Sequence, residues 1–167
     1  GAGRRPGAGA GAAVPSAGVE PNLTKSDDRP VPSAAEVVAG LDRAGRVRLL
    51  SGSDMFEVHG VPEHGLDPIV LADGPHGLRR QPEAGDHLGL SGSVPATCFP
   101  TAATLGSSWD VDLLTEVGRA LGEEAVEQGV AVVLGPGLNI KRHPAGGRSF
   151  EYLSEDPLLS GRLAAAM

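Results

Sequence analysis

Asp73-Gly74-Pro75-His76-Gly77-Leu78-Arg79 sets a carboxylate six residues ahead of a guanidinium, across a turn shaped by two glycines and a proline. An ionised carboxylate accepts hydrogen bonds from two adjacent hydroxyls, and arginine donates in a fork to an oxygen or holds the carboxylate itself in place. Such a pair suits a neutral polyol. The same residues also describe a structural Asp-Arg pair in a turn, and because Asp and Gly are ordinary turn residues, spacing alone favours that plainer reading. A second concentration of charge, Lys141, Arg142, His143, Arg148, Glu151, Glu155 and Asp156, falls within sixteen residues. Its signs alternate, which speaks against a phosphate site. Taken singly, each of these charges is an ordinary solvated group, and Asp156 is explained by helix capping.

Other chemistries find no support. His59, His64, His76, His87 and Cys98 are spaced by 5, 12, 11 and 11 residues, which matches none of the compact ligand patterns of zinc sites. No metal and no cofactor is expected. No serine stands in a Gly-x-Ser-x-Gly elbow, and Cys98 has no histidine that the sequence places beside it. Residues 33 to 167 carry 10 basic and 18 acidic side chains, so the positive footprint of a nucleic-acid-binding surface is missing.

The elements that must position these residues are legible from periodicity. Ser33 and Glu36 form a capping box ahead of Val37, Val38, Leu41, Val47 and Leu50, which predicts a helix over 34–50 ended by Gly52. Pro68 to Ala72 reads as a short buried strand that delivers Asp73 at its carboxyl end. Thr101 to Leu105 is expected to be a second strand, running into Gly106-Ser107-Ser108-Trp109. Asp110 then caps a helix with Val111, Leu114, Val117, Leu121 and Ala125 at spacings of three and four. The apolar run Val130 to Leu134 predicts a third strand, of the kind buried on both faces in parallel sheets. Asp156 and Pro157 open a last helix. Strand, helix, strand in close succession implies a parallel βαβ unit and an α/β fold. In such folds ligands bind at the carboxyl ends of the strands, so the loops Asp73 to Arg79, Gly106 to Asp110 and Gly135 to Glu155 are expected to share one edge.

Composition narrows the class further. The chain has 167 residues, 14 basic against 21 acidic, with 25 Gly and 14 Pro but only five aromatic residues (three Phe, one Tyr, one Trp), so its core must be aliphatic and its loops turn-rich. No run approaches the roughly 18 to 20 apolar residues of a membrane-spanning helix, and a membrane partner is not expected. The single cysteine allows no internal disulfide. Residues 1–32 hold 6 Gly, 5 Pro and 6 Ala without an apolar period and are expected to be a disordered lead to a domain over 33–167. Arg4 and Arg5 are not followed by an adequate apolar stretch for export, so a cytoplasmic rather than a secreted location is expected. Beginning with Gly and stopping within an expected helix, the chain is expected to be a piece of a longer polypeptide.

The motifs Asp73-Gly74-Pro75-His76-Gly77-Leu78-Arg79, then Phe99-Pro100 with Gly106 to Asp110, then Gly135-Pro136-Gly137-Leu138-Asn139-Ile140-Lys141-Arg142, Gly147-Arg148-Ser149-Phe150-Glu151-Tyr152 and Ser154-Glu155-Asp156-Pro157, together resemble glycoside hydrolase family 3, in its β-glucosidase and β-xylosidase branch. Several motifs in the right order, from about Ser33 onward, carry the resemblance. It implies the N-terminal part of a (β/α)8 TIM-like barrel, incomplete in this chain. It also implies that Asp73, Arg79 and Arg148 contact the sugar while Glu151 orients its neighbours. Where members often have Asn after the Gly-Arg pair this chain has Ser149, which leaves the local hydrogen bonding open.

Retaining glycosidases need two carboxyl groups about 5 to 5.5 Å apart, one as nucleophile and one as acid and base. In this family the resemblance places the nucleophile, in a Ser-Asp-Trp or Thr-Asp-Trp type motif, and the acid/base well downstream, and no such motif occurs in this sequence. The expectation is therefore a portion of an enzyme that cleaves terminal β-D-glucosyl or related residues from small β-glycosides or oligosaccharides, with substrate-binding residues here and no catalytic residue in this chain. The alternatives are a non-catalytic carbohydrate-binding or regulatory barrel protein, or an unrelated α/β fold.

Overall fold

The computed structural model describes residues 33–81 and 93–167; the expected disordered lead over 1–32 and His87 lie outside them. Ser33 opens the first helix, α1 (Ala34–Gly40), through the capping box with Glu36. The expected single helix over 34–50 is in fact two. Leu41 turns extended and buries its side chain, and Asp42 caps a new helix, α2 (Arg43–Leu49), by accepting from the Gly45 amide at 2.7 Å. Arg46 donates from Nε to the carbonyls of Val38 and Leu41 at 3.2 and 3.1 Å, satisfying acceptors that the break exposes. Aspartate between two apolar stretches therefore restarts the helix instead of continuing it.

A hairpin that hydrophobic periodicity did not indicate follows, β1 (Gly52–Asp54) and β2 (Glu57–Val58). It leads antiparallel into β3 (Ile69–Ala72), within the stretch expected to be a strand. The second expected strand is a helix, α3 (Ala102–Ser108), capped by the Thr101 hydroxyl accepting from the Thr104 amide. Ala102, Leu105 and Gly106 are the residues it buries, a spacing of three and four that a strand of period two could not direct to one side. The stripe Leu114, Val117, Leu121 and Ala125 is buried along α4 (Val111–Glu127) as its spacing requires.

The chain then returns as β4 (Val132–Val133), parallel to β3 and beside it, with Leu71 opposite Val132 and Ala72 opposite Val133. The sheet order is β1-β2-β3-β4. Helices α3 and α4 together make the crossover of the parallel unit, so the architecture is α/β. Only two parallel strands are present among the described residues, and the segment 106–110 lies at a helix-helix junction, not at a strand end. Nor is the run from Val130 buried on both faces: Val132 in β4 and Leu134 just beyond it are 42% and 43% exposed, and β3 is the one strand partner of β4 among the described residues. The last helix, α5 (Pro157–Ala166), begins at the Asp156 cap.

Two clusters of buried side chains hold these layers. Ala102, Leu105, Leu114, Val117, Leu153 and Leu163 join α3, α4 and α5, while Ala72, Leu78, Leu121, Ala125 and Val130 fasten α4 to the sheet. Phe99 and Met167 touch both clusters. Backbones approach closely where glycine allows it: a Cβ on Gly106 would stand 2.1 Å from the Leu153 carbonyl oxygen. Gly106→Ala is therefore expected to destabilise the chain by about 1–3 kcal/mol through overpacking. Gly122→Ala, at an exposed position of α4 where a Cβ meets nothing within 4 Å, is expected to stabilise it by about 0.4–1 kcal/mol. Urea unfolding of the two variants tests the contrast.

Candidate functional site

At the carboxyl end of β3 the chain makes a tight returning loop. The Arg79 amide donates to the Asp73 carbonyl at 3.0 Å and the Gly77 amide to the Gly74 carbonyl at 3.1 Å, and Asp73 and Arg79 form an isolated antiparallel bridge. Gly74 has φ +101° and a Cβ there would lie 1.9 Å from the Gly77 carbonyl oxygen; Gly77 has φ +144° with the Thr97 carbonyl oxygen 2.5 Å from where its Cβ would be. Only glycine fits both places. Leu78, 4% exposed, plugs the loop into the core, while Asp73 and Arg79 remain at the surface. The link between Asp73 and Arg79 is thus made by main chain. Their side chains form no ion pair among the described residues, so the structural Asp-Arg pair that spacing alone favoured is not what closes this turn.

The far side of the loop is strapped from behind. The Phe99 amide donates to the His76 carbonyl at 2.8 Å, and the Glu124 carboxylate of α4 accepts from the Thr97 amide at 3.1 and 3.2 Å as well as from its hydroxyl. Glu124 was invisible as a site-positioning group in the sequence, because on a helical repeat it reads as one more solvated charge.

The loop after β4 meets the first one edge to edge. A Cβ on Gly135 would stand 2.5 Å from Pro75 Cβ, and one on Gly137 2.5 Å from the Glu151 carbonyl oxygen. Gly137 bridges Tyr152 in parallel, which brings the 3-10 turn Ser149–Glu151 to the carboxyl end of the sheet. There the Arg148 guanidinium forks onto Glu151, with Nη2 donating to Oε2 at 3.0 Å and Nε donating to Oε1. The Glu151 side chain is 17% exposed and that of Arg148 is 73% exposed, so the carboxylate is the anchor and the guanidinium faces outward. Bidentate pairing of this kind fixes direction as well as charge.

The electrostatics tie four residues together. Hydrogen bonds to Glu151, then its charge, hold the Arg148 guanidinium above its ordinary range, with Tyr152 and Asp73 adding to the effect. Hydrogen bonds from Arg148 hold the Glu151 carboxyl below the usual carboxylate range; its burial opposes this, and the charges of Arg148 and His76 reinforce it. Glu151 therefore lies in the fields of Arg148 and His76, and Arg148 in that of Asp73. Arg79 joins this group through the backbone only. His76 is the residue that sequence reasoning missed: it was weighed as a metal ligand, whereas both its ring nitrogens are buried without a hydrogen-bond partner among the described residues. Its place between Pro75 and Gly77 in a loop forced to turn inward is the one signal in the sequence. Among the described residues no group of three or more His, Cys, Asp or Glu is gathered as metal ligands would be.

A sequence profile described as the glycosyl hydrolase family 3 N-terminal domain matches residues 84–167. The chain belongs to glycosyl hydrolase family 3. The matched stretch contains Arg148 and Glu151. Similar proteins include thermostable β-glucosidase B of Acetivibrio thermocellus, 52% identical over 118 residues, 71% of this chain and 16% of that protein. Another is the exo-α-(1→6)-L-arabinopyranosidase of Bifidobacterium longum, 50% identical over 120 residues with the same coverages. Among solved structures, β-glucosidase 3B of Thermotoga neapolitana in complex with glucose superposes with a TM-score of 0.70 at 40% identity, covering 79% of this chain and 20% of that one. The chain thus spans about a sixth of the length of the curated relatives it matches.

Burial pushes the His76 imidazole below its ordinary value, and the charge of Glu151 works the other way. In the unfolded chain histidine takes up its proton near pH 6.5, before the folded form does. Stability from this group is therefore complete above about pH 6.5 and is lost as pH falls through the lower folded value. An NMR titration of the His76 ring is expected to give a midpoint below 6.5, and Glu151→Gln, which removes the opposing negative charge, should lower it further.

Proposed function

We propose that this chain contributes part of the sugar-binding subsite of a retaining β-glycosidase, as the opening portion of an incomplete (β/α)8 barrel. The observation that carries the reading is the outward-facing Arg148 guanidinium, fastened by two donors to Glu151 and lying in the field of Asp73 at the end of β3. A carboxylate accepts from paired ring hydroxyls and a fixed guanidinium donates to their oxygens, so opposite charges at one edge of the sheet can hold a neutral pyranose without requiring a charged one. Arg79 supplies a further donor from the end of the same loop, and Glu151 sets the direction of Arg148. The parallel β3-β4 pair with its helical crossover is compatible with the repeating unit of such a barrel.

In this reading the nucleophile and the acid/base belong to other parts of a longer enzyme, so the 167-residue chain binds without turning over. Two substrate classes are in play, because the similar proteins include a β-glucosidase and an α-L-arabinopyranosidase. A non-catalytic carbohydrate-binding protein built on the same site is the other reading.

Saturation-transfer NMR with methyl β-D-glucopyranoside and methyl α-L-arabinopyranoside is expected to detect weak binding by the chain. Removing a charged hydrogen-bonding partner costs about 1.5–3 kcal/mol, so Asp73→Ala and Arg148→Ala should each weaken it at least tenfold. Aryl β-glucoside and aryl α-L-arabinopyranoside are expected to remain uncleaved by the purified chain. Stoichiometric hydrolysis abolished by Asp73→Ala would overturn the division of labour. Hydrolysis by a longer polypeptide carrying this segment separates the enzyme from the binding protein.

A further inference from the structure

Trp109, the sole tryptophan of the chain, is the one non-glycine residue with a positive φ among the described residues, at φ 58° and ψ 15°. It terminates α3, a position where glycine or asparagine adopts the left-handed conformation with less strain. The strain is not returned as packing, since Trp109 is 73% exposed. The backbone on both sides is held. The Trp109 amide donates to the Gly106 carbonyl at 3.4 Å, the Asp110 amide donates to Ser108 Oγ at 3.1 Å, and Asp110 caps α4 through the Leu113 amide at 3.0 Å. A large aromatic ring is therefore carried outward on a rigid junction between two helix caps.

The ring borders a cleft of about 380 Å³ that Asp73 and Arg148 do not line. The same cleft is lined by Lys141, Arg142, His143 and Glu155, and the Lys141 amide donates to the Ser154 carbonyl at 3.3 Å. Arg142 Nη1 is held by Asn139 Oδ1 at 3.1 Å, which leaves its other donors for a ligand. The Ala145 amide donates to His143 Nδ1 at 3.1 Å, so a neutral ring carries its proton on Nε2 and presents a donor there. An aromatic face, planar donors, an acceptor and mixed charge in a cleft of small-ligand size match one chemical class: a neutral pyranose, whose apolar C–H face stacks on the ring while its hydroxyls meet the polar wall.

We propose that the Trp109 cleft is a second carbohydrate site, one that accepts a pyranosyl unit on the indole with Arg142, His143 and Glu155 around its hydroxyls. Ser149, which lines the cleft, directly follows Arg148 in the chain, so the 3-10 turn separates the two sites.

Because the chain has one tryptophan, its emission reports on this cleft. Titrating the 167-residue chain with cellobiose is expected to change that emission saturably in the millimolar range, and Arg142→Met should weaken the response at least fivefold. Trp109→Gly relieves the left-handed strain, so its melting temperature should hold or rise while cellobiose binding seen by saturation-transfer NMR is lost from the cleft. Asp73→Asn should leave the tryptophan response intact, which separates this site from the one at the end of β3. An emission unmoved by cellobiose, a response abolished by Asp73→Asn, or unimpaired binding by Trp109→Gly with the Asp73 site disabled would overturn the proposal.

Discussion

Leu71 and Ala72 pair in parallel with Val132 and Val133, and that short ladder brings the carboxyl ends of two strands to the same edge. Everything at the candidate site follows from it. Parallel neighbours require a long return path, which α3 and α4 supply, and the return leaves the loop after β3 and the loop after β4 side by side. Had the pair been antiparallel, Asp73 and the Arg148 turn would lie at opposite ends of the sheet. The ladder is short, so its alignment depends on what lies behind it: Leu78, Leu121, Ala125 and Val130 pack under Ala72.

The loops then approach more closely than side chains permit, and glycine supplies the space. Gly74 and Gly77 turn the Asp73 loop back on itself, Gly135 abuts Pro75, and Gly137 passes against the backbone of Glu151. Dense glycine in an aliphatic chain is thus a means of bringing polar groups together, not only a mark of loops. It is combined with devices that restore rigidity: the buried Leu78, the Glu124 strap on Thr97, and the Arg148-Glu151 fork. Fixing a guanidinium beforehand lowers the ordering cost that a ligand would otherwise meet on binding.

The helix-helix junction at Trp109 follows the same economy by different means. There the turn is made by an aromatic residue in a conformation glycine would hold with less strain, and the ring faces out beside a charged wall. In a family whose similar members include structures with glucose bound, an aromatic surface there would extend contact with a sugar chain without adding to the core.

Local signals in the sequence carried a good part of this. The capping box at Ser33, the stripe along α4, the Asp156-Pro157 start of α5 and the apolar run before Asp73 are short-range features, complete within a few turns of chain, and they predicted elements that exist. The ordered motifs carried the family. The sequence misled for both distant and local reasons. Thr101 to Leu105 suits a strand as well as a helix until Leu153 and α5 take its buried side. The helix over 34–50 breaks because the Asp42 cap outweighs an apolar pattern that would otherwise run on. The hairpin at 52–58 has no alternating hydrophobicity to announce it.

The candidate site divides the same way. Residue types and spacing drew attention to Asp73, Arg79 and the charges around Arg148, and the resemblance of the ordered motifs assigned Asp73, Arg79, Arg148 and Glu151 their expected roles. Tertiary structure alone decided that Arg148 is fastened to Glu151 and feels the charge of Asp73, that the ring nitrogens of His76 are buried, and that Trp109 stands exposed beside its own cleft. These are facts about which groups share a dielectric environment across long stretches of chain, and hydrophobic packing sets that environment, not sequence neighbourhood.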